Sequence, residues 1–95
     1  MQTSEIKLAA RLDLGSAAAL QRELIEAMAC DTVIDGKDVA VVDTSCLQLL
    51  CAFVLAATSA GSRVSWLDAS PVLLEGARRL GVAATLGLGT SASQD

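Results

Sequence analysis

The sequence contains no histidine and no tyrosine, and it has one tryptophan, one phenylalanine and one proline. Without histidine the chain lacks the usual general base near neutral pH, and Ser-His and Cys-His nucleophile systems are excluded. Most hydrolase mechanisms are thereby excluded, and we expect a protein that is not an enzyme. Because aromatic residues are so few, the core must be built from Leu, Val, Ile and Ala.

Basic residues are also scarce, with 7 Lys and Arg against 11 Asp and Glu in 95 residues and a net charge of −4. Nucleic acids and anionic membrane surfaces are bound through clusters of basic residues, and this chain has none. The longest uncharged stretch, Thr44 to Ser62, is interrupted by Ser, Thr, Gln and Gly, and the start of the chain has no signal-peptide pattern. We therefore expect a cytoplasmic protein that does not insert into membranes and whose partner is another protein.

The chain has three cysteines, Cys30, Cys46 and Cys51, which is an odd number, and they show no CxxC spacing. They lie in apolar segments, and Cys46 and Cys51 have no basic neighbours in sequence that would lower the pKa of a thiol. The pattern indicates small core residues in a reducing compartment and neither a disulfide framework nor a zinc site.

An acidic cluster follows the first helical segment, with one lysine, Lys37, inside it. Its members are Asp31, Asp35, Asp38 and Asp43. Carboxylate oxygens bind Mg²⁺, so a small metal-dependent enzyme of phosphoryl chemistry is one alternative. Aspartates are also frequent turn formers and helix caps in loops. We expect the second role, with no metal and no cofactor.

Hydrophobic periodicity predicts strands and helices in alternation. The predicted elements are a strand at 5–12, an amphipathic helix at 17–29 capped by Ser16, apolar runs at 32–34 and 39–42 of which one or both are strand, a helix at 45–60, a strand at 63–67, a helix at 71–80 capped by Ser70, and an apolar piece at 82–88. The apolar side of the first helix includes Ile25 and Met28, and that of the helix at 71–80 includes Val72 and Leu80, so we expect these residues to face inward. This order predicts one α/β domain over residues 4–88 and a frayed tail at 89–95. Because the chain has neither a GxGxxG nor a GxxxxGK[ST] loop, the usual nucleotide-binding folds are excluded.

The most informative motif is Asp43-Thr44-Ser45, where an apolar run ends and an apolar helix begins. A hydroxyl at a helix N-terminus lies beside backbone N–H groups that have no intrahelical partners, so a phosphate attached there would find donors. The motif therefore predicts a phosphorylation site. The alternative is that Thr44 or Ser45 is simply the N-cap of the helix.

The helix that follows this motif is apolar on more than one face. Such a helix is either enclosed by the fold or meets a partner. Leu49 and Phe53, one and two turns beyond Thr44, are our candidates for the binding face. The same feature is compatible with a homodimer.

The order and spacing of these features resemble the STAS domain of bacterial anti-sigma factor antagonists. The resemblance depends on Asp35, on the run from Asp43 to Leu50, on Gly61-x-x-Val64, on Ser70-Pro71 and on Leu80-Gly81-Val82, and it covers Ile6 to Leu88. It implies a small mixed β-sheet backed by helices. It also implies that Thr44 is phosphorylated by a serine kinase that acts as an anti-sigma factor, and that phosphorylation releases this partner.

The resemblance identifies a set of candidate partner-binding residues around the phosphoacceptor. With the two helix positions above, the set is Asp43, Thr44, Ser45, Cys46, Leu49 and Phe53. The typical family motif has glycine where this chain has Cys46, and we expect the cysteine side chain to narrow the approach to Thr44.

The form Asp-Thr-x-x-Leu-x-Leu-Leu also resembles a divergent branch of STAS proteins. That branch includes small proteins encoded with chemotaxis systems and the STAS subunit of a phospholipid-transport ABC complex. The resemblance to this branch implies an alternative function, a constitutive docking subunit that binds the transporter ATPase through the same surface without phosphorylation.

Overall fold

The computed structural model describes residues 3–27 and 30–88. Strands and helices alternate, as predicted. In chain order the elements are β1 (Thr3–Lys7), β2 (Arg11–Leu12), a 3₁₀ turn (Leu14–Ser16), α1 (Ala17–Ala27), β3 (Asp31–Gly36), β4 (Val41–Val42), α2 (Thr44–Ser59), β5 (Val64–Ala69), α3 (Pro71–Leu80) and α4 (Ala83–Leu86). The predicted tail at 89–95 lies outside the described residues.

The strands form two small sheets, one of three strands in the order β1-β3-β5 and one that pairs β2 with β4. Every pairing among the described strands is parallel, whereas a mixed sheet was expected. Parallel strands require crossover connections, and the helices supply them. The α/β prediction is thereby confirmed, with a parallel sheet and helices packed against it.

The predicted first strand at 5–12 is wrong as a single element. The Leu8 N–H donates to the Asp35 carbonyl at the end of the three-stranded sheet, and the chain then leaves that sheet. The Ala10 carbonyl accepts from the N–H groups of Ala40 and Val41, which starts the second sheet. The predicted strand is thus two strands, β1 in the first sheet and β2 in the second. In the second sheet Leu12 pairs with Val42, just before α2.

The core lies between the sheets and the helices and is almost wholly aliphatic. Its largest fully buried apolar side chains are Leu8, Leu12, Ile34, Leu50, Leu73 and Leu86. The tryptophan is half-buried on β5, where the Trp66 Nε1–H donates to the Leu86 carbonyl at 2.8 Å. This bond ties α4 to β5.

Helix α3 begins and ends as its sequence predicts. The Ser70 hydroxyl accepts from the Leu73 N–H at 3.1 Å, and Pro71 occupies the first helical position. Gly81 ends the helix with φ +82°, the left-handed conformation that favours glycine.

Helix α1 begins differently from the prediction, because Ser16 is not a simple N-cap. A 3₁₀ turn precedes the helix, and the Ser16 Oγ accepts from the Asp13 N–H at 3.0 Å while lying 3.0 Å from the Arg11 carbonyl oxygen. Ser16 therefore stabilises the connection between β2 and α1.

Candidate partner-binding site at the start of helix α2

Helix α2 is positioned by the short strand that precedes it. The Asp43 N–H donates to the Leu12 carbonyl at 2.9 Å, which attaches the last residue before the helix to the second sheet. Asp43 has extended backbone angles, and its Oδ1 accepts from the Cys46 N–H at 3.1 Å. The N-cap is therefore Asp43, and the prediction that Thr44 or Ser45 fills this position is wrong.

The Asp43 carboxylate is stabilised in its charged form. The Ser45 hydroxyl donates to Asp43 Oδ1 at 2.7 Å, and this bond, followed by that from the Cys46 N–H, lowers the pKa of Asp43 below its ordinary value of 3.8. A negative charge at a helix N-terminus also interacts favourably with the helix dipole. Asp43 is thus ionised at neutral pH, and Ser45 has a structural role beside it.

Thr44 is the first residue of α2 and is exposed. It lies at an open groove of about 730 Å³ between the start of α2 and helix α3, which we call the α2–α3 groove. The residues that line it are Val42, Asp43, Thr44, Leu47, Pro71, Val72, Glu75, Gly76, Arg79 and Leu80. Thr44 is therefore open to solvent at the edge of this groove.

The groove owes its shape to the packing of α3 on β4 and on the start of α2. A Cβ added at Gly76 would lie 3.1 Å from Val42 Cγ1 on β4, which is a tight contact, and at an ordinary 3.5 Å from Leu47 Cδ1 on α2. Glycine therefore permits the close approach of α3 to β4. The helical pattern did not predict the α3 wall of the groove, because it placed Val72 and Leu80 inward, whereas they are 43% and 38% exposed.

Cys46 does not lie where it was expected. Its side chain is 0% exposed and points into the core, with Sγ 3.5 Å from the Asp13 carbonyl oxygen. Burial raises the pKa of the Cys46 thiol, and the nearby Asp43 charge raises it further. The expectation that this side chain narrows the approach to Thr44 is wrong, because Cys46 lies in the core and not at the surface where it was placed among the candidate partner-binding residues.

The predicted binding face further along α2 is corrected in part. Phe53 is 2% exposed and belongs to the core, whereas Leu49 is half-buried at the surface. Both line a small apolar cavity of about 230 Å³ between α1 and α2. Ile25 lines it as well and is 59% exposed, although the sequence pattern predicted an inward position for it. Met28, predicted on the same face as Ile25, lies outside the described residues.

The acidic cluster of the sequence is dispersed in the structure. Asp31 Oδ1 accepts from the Arg63 N–H, buried Asp35 accepts from the Lys37 N–H, and Asp38 forms an exposed ion pair with Lys7 at 3.3 Å. Within residues 3–27 and 30–88, no group of three or more carboxylates and thiols is arranged to hold a metal ion. Each of these aspartates serves a turn, a strand end or a cap.

Over the same described ranges, none of the helices combines the length and the apolar character that a membrane crossing requires.

A search among curated proteins finds no significant match. A family model described as "Mlab, STAS domain" matches residues 1–89, nearly the whole chain. Together with the parallel sheet, the covering helices and the Asp43-capped α2, this match shows that the chain belongs to the STAS domain family, whose members are protein-interaction modules.

Proposed function

We propose that this chain is a regulatory protein-binding module whose partner docks at the start of α2 and whose binding is switched by phosphorylation of Thr44. The observation that carries the proposal is the exposed residue Thr44, at the first position of a 16-residue helix and at the α2–α3 groove. The apolar residues of the groove provide a surface on which a partner can pack, and Thr44 lies at that surface.

The switch would act by electrostatics. The Thr44 Oγ attacks the γ-phosphorus of a nucleoside triphosphate held by the kinase, its proton passes to a base of the kinase, and the nucleoside diphosphate leaves. The product adds about −1.5 to −2 charges beside the ionised Asp43. A partner that packs closely on this surface would then have to bury both negative groups, so binding weakens.

The proposed footprint covers Asp43, Thr44 and Ser45 and extends along α2 to Leu49. Cys46 and Phe53 support it from the core, because both are buried beneath this surface. The partner would be a serine kinase that also acts as an anti-sigma factor, as the resemblance to anti-sigma factor antagonists implies.

The second candidate is a constitutive docking subunit that holds the ATPase of an ABC-type phospholipid transporter, or a chemotaxis complex, through the same surface. It is favoured by the "Mlab" description of the matching family model and by the Asp-Thr-x-x-Leu-x-Leu-Leu pattern. In this case Thr44 acts as an unmodified contact residue.

The deciding experiment is intact-mass and phosphosite analysis of the protein isolated from its native host, followed by affinity measurements with the partner that copurifies. We expect one phosphate at Thr44, lost in Thr44→Ala, and weaker partner binding by the phosphorylated form and by Thr44→Glu. Leu67→Glu is the matched control, since Leu67 is 62% exposed on β5, outside the proposed footprint.

A protein that is never phosphorylated, and whose tight partner binding survives Thr44→Glu, would contradict the switch. If Leu49→Glu then abolishes binding while Leu67→Glu does not, the constitutive docking subunit is supported.

A further inference from the structure

Arg79 and Thr44 both line the α2–α3 groove. Arg79 belongs to α3, and Thr44 belongs to α2. Among the described residues that line this groove, Arg79 alone carries a positive charge, while Asp43 and Glu75 carry negative charges. A phosphate on Thr44 would therefore enter a groove that holds one cation and two anions.

Arg79 is held in place by a contact that can be exchanged. Its Nε lies 3.0 Å from Glu75 Oε2, and its side chain is 79% exposed. Exposed ion pairs of this kind are weak, because water competes for both partners. Arg78 lies 3.4 Å from the other oxygen of Glu75, so the glutamate keeps a cationic neighbour if Arg79 moves away.

A phosphate on Thr44 would bind the Arg79 guanidinium more strongly than the Glu75 carboxylate does. It carries a larger charge than a carboxylate, and the planar guanidinium donates two parallel hydrogen bonds to phosphate oxygens. The negative charge of Asp43 repels a phosphate on Thr44, and a cation at this place would offset that repulsion. The Asp43 carboxylate is already bonded to the Ser45 hydroxyl and the Cys46 N–H, and both bonds favour its charged form.

We propose that Arg79 binds the phosphate of phosphorylated Thr44, leaving Glu75 to Arg78, and that this contact closes the α2–α3 groove against the partner. The proposal rests on the proposed function, since it requires that Thr44 is phosphorylated. The proposal adds a second cause for release of the partner. The Arg79 side chain would occupy the groove, and this would act together with the repulsion between the negative charges.

The test uses the protein carrying phosphothreonine at position 44, introduced during translation by genetic-code expansion. The second ionisation of the phosphate is followed by ³¹P NMR as a function of pH in four backgrounds: the parent, Arg79→Gln, Arg79→Lys and Arg78→Gln. Arg78 is the matched control because it is a neighbouring exposed arginine on α3 that contacts Glu75 but does not line the groove.

We expect Arg79→Gln to raise the second pKa of the phosphate by roughly half a unit, because the charged form loses a close cation. Arg79→Lys should restore most of the parent value. Arg78→Gln should raise the pKa by clearly less than Arg79→Gln does, because Arg79 remains and only the second cation beside Glu75 is lost. An identical titration in the parent and Arg79→Gln would overturn the proposal. Equal shifts in Arg78→Gln and Arg79→Gln would also overturn it, since they indicate a general field in place of a contact.

This titration needs neither kinase nor partner, so its failure is separate from failure of the proposed function. Absence of phosphate on Thr44 in the native host would remove the switch itself. A phosphate that weakens partner binding equally in the parent and Arg79→Gln would leave the switch standing and remove the closure by Arg79.

Discussion

The Ser45 hydroxyl donates a hydrogen bond of 2.7 Å to Asp43 Oδ1, the same oxygen that accepts from the Cys46 N–H. One oxygen of Asp43 thus caps α2 and also holds the Ser45 side chain by a hydrogen bond. Thr44, which lies between Asp43 and Ser45 in the sequence, is exposed. The arrangement separates two roles that the sequence places side by side, because Asp43 and Ser45 build the helix start and Thr44 is presented to solvent.

The first prediction concerns the pH dependence of stability. Because the pKa of Asp43 is lowered in the folded state, its stabilising contribution is fully present above the ordinary value of 3.8 and is lost as pH falls through the lowered value. We expect the free energy of unfolding of the parent to exceed that of Asp43→Asn most above pH 4, with the difference shrinking in more acidic solution. Urea titrations from pH 2 to 6 measure this.

Ser45→Ala serves as the companion variant in this series. It removes the hydrogen bond that contributes most to the lowered pKa of Asp43. Its pH dependence should therefore lie between those of the parent and Asp43→Asn. A difference between parent and Asp43→Asn that stays constant from pH 2 to 6 would contradict the assignment of Asp43 as an ionised cap.

The second prediction concerns Cys46, which stands where the typical family motif has glycine. Cys46→Gly should reduce the free energy of unfolding by roughly 1–3 kcal/mol, because it removes a buried side chain and adds backbone freedom within a helix. Thr44 should remain equally accessible, since Cys46 points into the core. Chemical denaturation measures the first effect.

Gln48→Gly is the matched control, because Gln48 is exposed on the same helix and its replacement isolates the backbone effect. Equal losses for the two variants would mean that the Cys46 side chain contributes nothing to packing. A complementary measurement is alkylation of the native protein, in which Cys46 should resist the reagent until the chain unfolds, because the thiol is buried and its pKa is raised.

The third prediction concerns Gly36, at the end of β3. A Cβ at this position would lie 2.7 Å from Leu73 Cδ2 and 3.4 Å from the Asp68 carbonyl oxygen. Gly36→Ala should therefore destabilise the fold by about 1–3 kcal/mol through overpacking between β3, β5 and α3. Thermal unfolding compares it with Gly15→Ala, where the nearest atom lies at an ordinary 3.5 Å. Equal melting temperatures for the two variants would show that the core yields without cost.

The fourth prediction concerns the cap of α3, which forms one wall of the groove. Ser70 is buried and its hydroxyl accepts from the Leu73 N–H, so Ser70→Ala should cost about 1 kcal/mol of unfolding free energy. Ser59→Ala, at an exposed position at the end of α2, should stay within about 0.5 kcal/mol of the parent. A neutral Ser70→Ala would show that α3 begins stably without this bond.

The local signals of the sequence determined the order of the elements and several of their ends. Ser70-Pro71 starts α3 and Gly81 ends it because capping and left-handed backbone conformations depend on the residues at those positions themselves. The apolar runs likewise predicted β3, α2 and β5 closely, because their periodicity reflects burial of one or both faces.

The tertiary structure alone decided which side chains form the candidate site. The division of the first predicted strand, the burial of Phe53 and the exposure of Ile25 depend on which elements lie opposite each other, and local periodicity does not contain that information. The α2–α3 groove brings Thr44 and Arg79, 35 positions apart, to the same surface feature. A helix pattern states which residues share a face, but the packing of α3 on α2 decides which of those faces enclose a groove.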